Sequence, residues 1–266
     1  MSFKEKYSIT PMYLTSPSKR RSGLMMSPGV KFIVAHDTGN PKSTARGNRN
    51  YYENSRDEMS ASAHIFVDDK EIIECIPALT SAKPEKAWHV LYSVPTDNQL
   101  FGFNANDAAI GVEYCYGANI NADESYRKYL WVIAKICFTY GLDPGRSVIG
   151  HCFLDPNRKT DPVTGLLQSR RTYDQFLKDI VSEFNECTGA VTDKYAYTKS
   201  PGSGKVLHRL NIRKGAPTTK AEVIEVANPG ITVEFTGFVN NGEPVNGNAK
   251  WYKNAAGNYF WSGAIG

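Results

Sequence analysis

Five histidines in a chain of 266 residues are few enough to weigh one by one. His36 closes the run Ile33-Val-Ala-His-Asp-Thr-Gly39, where an apolar strand gives way to a turn. His151 closes a second short run, Ser147-Val-Ile-Gly-His151, and Asp161 follows within the polar turn Lys159-Thr-Asp-Pro162. Strand ends are where open α/β folds place their sites. Two imidazoles and one carboxylate match the three protein ligands of a catalytic zinc, with one position left for water. On position alone the alternative is two structural histidines satisfied by hydrogen bonds. Glu113 is a charge in an otherwise apolar strand, Ala108 to Cys115, so it is either a proton-transfer group or a strand residue turned to solvent. Lys159 is either a site cation or a solvated turn residue. His64 lies in the apolar run Ala63-His-Ile-Phe-Val67, His89 follows Trp88, and Tyr51 and Tyr52 sit together in a polar segment. Each of these four reads equally well as packing or as a site wall.

The elements that must position these residues are legible from periodicity. Lys31-Phe-Ile-Val-Ala35 is a short apolar, β-branched run and predicts a buried strand. Ser43 to Glu53 predicts a polar helix. Ala63 to Val67 and Glu71 to Ile76 flank Asp68-Asp69-Lys70 and predict a hairpin. Leu130, Ile133, Ala134 and Cys137 make the stripe of an amphipathic helix from Asp123 to Tyr140, with Asp123 as its cap and Gly141 and Pro144 as its stop. Phe176, Leu177, Ile180, Val181 and Phe184 make a second stripe, from Thr172 to Glu186. Strands mixed with helices over this length predict an α/β fold with a mixed central β-sheet flanked by helices. Residues 189–204 lack periodicity and end in Pro-Gly-Ser-Gly, as a linker does. From Lys205 onward short β-like runs alternate with Gly, Asn and Pro, which predicts a small C-terminal β-barrel in 205–266.

Composition excludes several classes. A 41% hydrophobic and 12% aromatic content supports a core rather than a disordered chain. No apolar run approaches the ~18 residues of a membrane span. Met1 to Leu14 lacks the apolar stretch of a secretory signal, so signal-dependent export is not expected. The formal charge is +4, and 205–266, with seven Lys/Arg and four Glu, carries most of it. That is too mild to indicate nucleic acid. The five cysteines form no CxxC pair and read as buried thiols.

Several motifs also occur together in order: Ala35-His-Asp-Thr-Gly39, Ser62-Ala-His-Ile-Phe-Val67, Ala87-Trp-His89, Ile110-Gly-Val-Glu113, Gly150-His151 and Arg158-Lys-Thr-Asp-Pro162. Over roughly residues 28–187 this pattern resembles the zinc-dependent N-acetylmuramoyl-L-alanine amidases, the type 2 amidases related to peptidoglycan recognition proteins. The resemblance implies an amidase-like catalytic domain in 1–188. It implies Zn2+ held by His36, His151 and Asp161, a general base at Glu113 and an oxyanion-stabilising cation at Lys159. His64, His89 and Tyr52 become candidates for substrate binding. The implied partner is peptidoglycan, with neither nucleic acid nor membrane insertion, and the implied reaction cuts the amide joining N-acetylmuramic acid to L-alanine. Without a visible signal, such an enzyme acts in the periplasm or cell wall after holin-type release or delivery. The alternative is a non-catalytic protein that only binds peptidoglycan. Val163-Thr164-Gly165 departs from the family's Asp-Pro-Gly turn, and Cys152 stands where many relatives carry a polar residue.

Leu210-Asn-Ile-Arg-Lys-Gly-Ala-Pro217, Lys250-Trp-Tyr-Lys253 and Gly257-Asn-Tyr-Phe-Trp261 resemble parts of a bacterial SH3 domain, which implies wall binding. Trp251, Tyr252, Tyr259 and Trp261 either stack on a ligand or fill the module's core.

Overall fold

A strand buried on both faces reads as continuous apolar sequence, and all six residues of Phe32–Asp37 are buried. The computed structural model describes residues 2–117, 119–189, 195 and 197–266, which fall into two compact units, Met1–Val191 and Thr192–Gly266. The first unit contains β1 (Ile9–Pro11), β2 (Phe32–Asp37), α1 (Ala45–Asn54), β3 (Ile65–Val67), β4 (Ile72–Glu74), α2 (Thr96–Phe101), α3 (Ala105–Ala108) and β5 (Ala109–Tyr114). It continues through α4 (Ala122–Tyr140), β6 (Val148–Gly150), α5 (His151–Leu154), α6 (Val163–Gln168) and α7 (Tyr173–Thr188). Its six strands form one mixed sheet in the order β1-β4-β3-β5-β2-β6. The β3–β4 hairpin is antiparallel, as expected, and β5, β2 and the edge strand β6 run parallel.

Side chains alternate across a strand, and here the alternation separates core from chemistry. Ile33, Ala35, Ile110 and Val112 face the main core with Tyr129, Ile133 and Phe176 from the paired helices α4 and α7. Phe32 and Val34 face the opposite side and pack with Ala105, Ala108 and Leu154. By the same alternation His36 and Glu113 leave the sheet on that second face, and the parallel register sets them directly opposite each other. Tyr129, fully buried on α4, donates its hydroxyl to the His36 carbonyl at 2.9 Å, which ties the main helix to the end of β2.

Helix boundaries follow local chemistry. Thr44 caps α1 by accepting the Gly47 N–H, and Thr172 caps α7 by accepting the Gln175 N–H. The cap of α4 is Asn121, not the expected Asp123; its Oδ1 accepts the Glu124 N–H at 3.1 Å, which leaves Asp123 within the first turn. Gly141 ends α4 with φ +63°, a left-handed conformation that costs a side-chain-bearing residue more. Where the family's turn departs, Val163–Gln168 is a helix. Gly165 lies so close to Asp37 that an added Cβ would sit 2.8 Å from the Asp37 Cβ.

The second unit is an antiparallel six-stranded sheet built from β7 (Tyr197–Lys205), β8 (Leu210–Arg213), β9 (Val223–Ala227), β10 (Thr232–Val239), β11 (Trp251–Lys253) and β12 (Tyr259–Trp261). Their order is β7-β10-β11-β12-β8-β9. Of the linker expected at 189–204, residues 190–194 and 196 lie outside the described residues, whereas Tyr197–Lys205 pairs along β10. Trp251 and Tyr259 are buried, and the indole N–H groups of Trp251 and Trp261 donate to the carbonyls of Glu243 and Asn248. Tyr252 stacks on Phe235 at 4.0 Å between ring centroids. These aromatics therefore serve the module's own core.

One buried acid braces the first unit at the end of β4. Glu74, fully enclosed in β4, accepts the N–H groups of Ala78 and Leu79 at 2.7 and 3.1 Å. Removing it with Glu74→Ala leaves those amides unpaired. The expected loss is about 3 kcal/mol of unfolding free energy, measured by urea denaturation.

Candidate metal centre

β2, the β6–α5 junction and the loop after α5 converge at the carboxyl edge of the sheet. Asp161 Oδ2 lies 2.9 Å from His36 Nδ1 and 3.1 Å from His151 Nδ1. Ligand atoms from these three residues all fall within 4.8 Å of one another. Two donors held at ~2.05 Å in a tetrahedral shell stand about 3.3 Å apart, close to the observed spacings. His36 and His151 are each only 3% exposed. The Asp161 carbonyl accepts the Cys152 N–H at 2.8 Å, which fixes the loop against α5.

The protons of the site can be assigned from one carbonyl. His89 Nε2 lies 3.1 Å from the Ala109 carbonyl oxygen, which can only accept, so Nε2 carries the proton of a neutral ring. Burial holds the His89 imidazole well below its ordinary pKa, and the neighbouring His36 and His64 add to that effect. Its Nδ1 must then accept from His36 Nε2 at 3.0 Å. Burial also pushes His36 down, to about 4, although the Asp161 carboxylate favours its charged form. A neutral His36 protonated on Nε2 presents the lone pair of Nδ1 to Asp161. A lone pair and a carboxylate 2.9 Å apart repel unless a cation lies between them. The donor set therefore fits a divalent metal.

Glu113 and Lys159 line the same cleft, about 370 Å³ in volume, together with Tyr52, His89, Asp37 and the three convergent residues. Glu113 is half-buried as a residue, yet its Oε2 is sealed from solvent with no hydrogen-bond partner among the described residues; the same holds for His151 Nε2. Burial raises the Glu113 pKa well above its ordinary value, the charges of Asp161 and Asp37 raise it further, and Lys159 opposes them. Tyr52 reaches the cleft from α1, with the Arg20 guanidinium 4.4 Å above its ring centroid.

His64 corrects the expectation that it touches substrate. It is fully buried, its Nε2 donates to the Glu85 carbonyl at 2.9 Å and its Nδ1 accepts the Gly111 N–H at 3.0 Å. Neither nitrogen remains to meet a ligand.

Other groups that shape the site carried little or no signal in the sequence. Asp37 accepts the N–H of Gly39 with one oxygen and that of Gly165 with the other, joining the turn after β2 to α6. Asn106 Oδ1 accepts the N–H groups of His89 and Val90 and so anchors the His89 backbone. Gly111 leaves room for the His89 ring, since a Cβ there would lie 2.9 Å from its Cγ. Of these only Asp37 and Gly111 lie within motifs quoted above. Asn106 lies in α3, which no hydrophobic stripe announces.

Fold and site together define an α/β protein with a candidate His-His-Asp metal centre at the carboxyl ends of parallel strands. The chain belongs to the N-acetylmuramoyl-L-alanine amidase family (Amidase_2), whose family model matches residues 26–164. It is 31% identical over 192 residues to a probable N-acetylmuramoyl-L-alanine amidase of Bacillus licheniformis, a match covering 71% of this chain and 51% of that one. It is 33% identical over 176 residues to the N-acetylmuramoyl-L-alanine amidase BlyA of Bacillus subtilis (strain 168), covering 62% and 45%. The chain thus spans about half the length of the curated relatives it matches. Among solved structures, the catalytic domain of XlyA aligns with a TM-score of 0.52 at 23% identity, covering 65% of this chain and 99% of that one. The hydrolase AmiA of Staphylococcus aureus, solved with its ligand, aligns with a TM-score of 0.55 at 24% identity, covering 71% and 88%. At these identities the likeness is one of fold.

The proton relay through His89 makes a direct prediction. In His89→Phe the ring volume stays but His36 Nε2–H loses its acceptor. Zinc affinity, measured by competition with a chromophoric chelator, is expected to fall ~10–100-fold. An unchanged affinity would remove His89 from the centre.

Proposed function

We propose that the protein is a zinc-dependent peptidoglycan hydrolase that cleaves the amide between the lactyl group of N-acetylmuramic acid and the L-alanine of the stem peptide. The observation that carries this reading is the convergence of His36, His151 and Asp161 beside the unpartnered carboxyl of Glu113 in one cleft. His36, His151 and Asp161 would hold the metal. Zinc bound by three protein groups supplies Lewis acidity and lowers the pKa of water to about 7.

The remaining work belongs to the chain. Glu113, paired with His36 on the neighbouring strand, would take a proton from the attacking water and return it to the departing amide nitrogen. Lys159, which lines the cleft, brings a cation to the carbonyl oxygen as negative charge develops there. His89 holds the His36 ring in its ligating tautomer, and His89 and Tyr52 form walls against which the substrate lies.

For the second unit we propose an SH3-like fold and a role as wall tether. Its sheet of short antiparallel strands and the cationic balance of 205–266 support that role. A tether raises the local concentration of substrate for the catalytic unit. No described helix is long and apolar enough to cross a membrane. The wall would be reached from outside the membrane or after release through it.

Digestion of purified peptidoglycan followed by mass analysis of the products tests the reaction. The expected products are sugar chains with free lactyl carboxylates and peptides with a free N-terminal alanine. Glu113→Gln is expected to lower kcat by ~10²–10⁴-fold while zinc content stays the same. His36→Ala is expected to lose both zinc and activity. Peptide release by the zinc-free protein would overturn the metal assignment, and intact peptidoglycan after incubation with the zinc-loaded protein would leave only the binding function.

A further inference from the structure

The cleft does not end at the metal centre. It continues on both sides, and its two extensions differ in charge. Beyond Glu113 lies a space of about 440 Å³ whose polar lining includes Asn40, Ser43, Asn48 and Tyr51, with no cation among its lining residues. Beyond His151 lies a second space, about 430 Å³, walled by Trp88, Leu91 and Tyr92 and carrying Arg158 and Lys159 with no lining carboxylate. Both spaces share residues with the central cleft: Thr38, Tyr52 and Glu113 on one side, and Trp88, His89, His151, Arg158 and Lys159 among those on the other.

Resting on the amidase reading above, we infer that the extension beyond His151 receives the stem peptide and that Arg158 selects stems carrying a free carboxylate next to the alanine. The substrate's own chemistry gives the direction. Once its lactyl group is in amide linkage, the amino sugar is neutral, so the carboxylates of the substrate lie on the peptide side of the cut bond. An anionic arm finds no counter-charge in the first extension, which has Glu113 in its lining, whereas the neutral sugar is matched by hydroxyl, amide and aromatic groups. The cationic extension therefore takes the peptide.

Arg158 suits this task better than Lys159. Arg158 and Lys159 both line the central cleft and this extension, and Lys159 is already assigned to the reacting carbonyl. Arg158 pairs with Asp155 through Nη2, and its backbone N–H donates to the Asp155 carbonyl, so the head group is anchored at one nitrogen. Nε and Nη1 carry no hydrogen bond among the described residues, and the side chain is 48% exposed. A guanidinium held by one arm with donors to spare is arranged to accept a carboxylate. The neighbouring Trp88, Leu91 and Tyr92 supply the apolar wall for the peptide backbone and alanine methyl.

The test compares two defined substrates, N-acetylmuramoyl-L-alanyl-D-glutamate and its α-amide, N-acetylmuramoyl-L-alanyl-D-isoglutamine, with the zinc-loaded full chain. The wild type is expected to favour the acid about tenfold or more in kcat/KM, the scale of one hydrogen bond to a charged group. Arg158→Gln is expected to raise KM for the acid, leave kcat and the amide's kinetics nearly unchanged, and so abolish the preference. Arg158→Lys is expected to keep part of it. Equal cleavage of both substrates by the wild type, or an Arg158→Gln loss that scales both equally, overturns the assignment while leaving the amidase reading in place. Cleavage of neither substrate refutes both. Thermal melting of each variant at the wild-type temperature establishes that the readout is recognition and not folding.

Discussion

A carbonyl oxygen can accept a hydrogen bond but never donate one, and at Ala109 that constraint governs the whole site. It assigns the proton of His89 to Nε2, which commits His89 Nδ1 to accept and His36 Nε2 to donate. The lone pair of His36 is thereby aimed at Asp161 before any metal arrives. Ala109 opens β5, the strand that also carries Glu113. One strand thus sets the tautomer of a candidate metal ligand at its start and places the proposed proton carrier near its end. Gly111, between them, leaves the space in which the His89 ring lies. Such an outer layer around a metal centre is as much a part of its construction as the ligands are.

The sheet makes this arrangement possible because parallel strands finish together. β5, β2 and β6 are neighbours running the same way, so Glu113, His36 and His151 arrive at one edge from three different parts of the chain. Alternation across β2 sends Ile33 and Ala35 into the core beneath α4 and α7 and turns His36 to the other face. Both faces of β2 are covered, so a slip by one residue would turn His36 into the main core and carry Ile33 and Ala35 to the face of the site. Core packing and site geometry are therefore one constraint: β2 cannot move His36 without displacing Ile33 and Ala35 from the core they fill.

How much of this the sequence reveals depends on whether the signal is local. His36 and His151 are legible because each closes an apolar run, Asp161 because it is a carboxylate in a polar turn ten residues after His151, and the two long helices because their stripes are strong. The short β1 is silent because it is half-exposed and owes its place to pairing with β4. Tyr197–Lys205 reads as linker for a similar reason: Ser-Pro-Gly-Ser-Gly has no apolar alternation, and its extended form comes from the ladder with β10. His64 shows the reverse failure. It occupies a family-like motif at the right place, but its surroundings satisfy both ring nitrogens with backbone groups from distant segments, which no spacing along the chain discloses.

Charge balance explains why a buried carboxyl can serve as the proposed base. Glu113, Asp37 and Asp161 crowd the cleft, and Lys159 is the cation that acts on Glu113 from within it. Without further positive charge, burial and its acidic neighbours favour the protonated form of Glu113, which cannot accept a proton. A divalent cation at Asp161 would reverse that balance, because it would offset the charge of that neighbour and attract the ionised form of Glu113. Metal loading and the basicity of Glu113 would then be linked through the same electrostatic field. The desolvation that makes Glu113 costly to ionise also keeps the cation's field strong at short range. An exposed carboxylate would be ionised regardless of the metal, and its proton affinity would carry no information about whether the centre was filled.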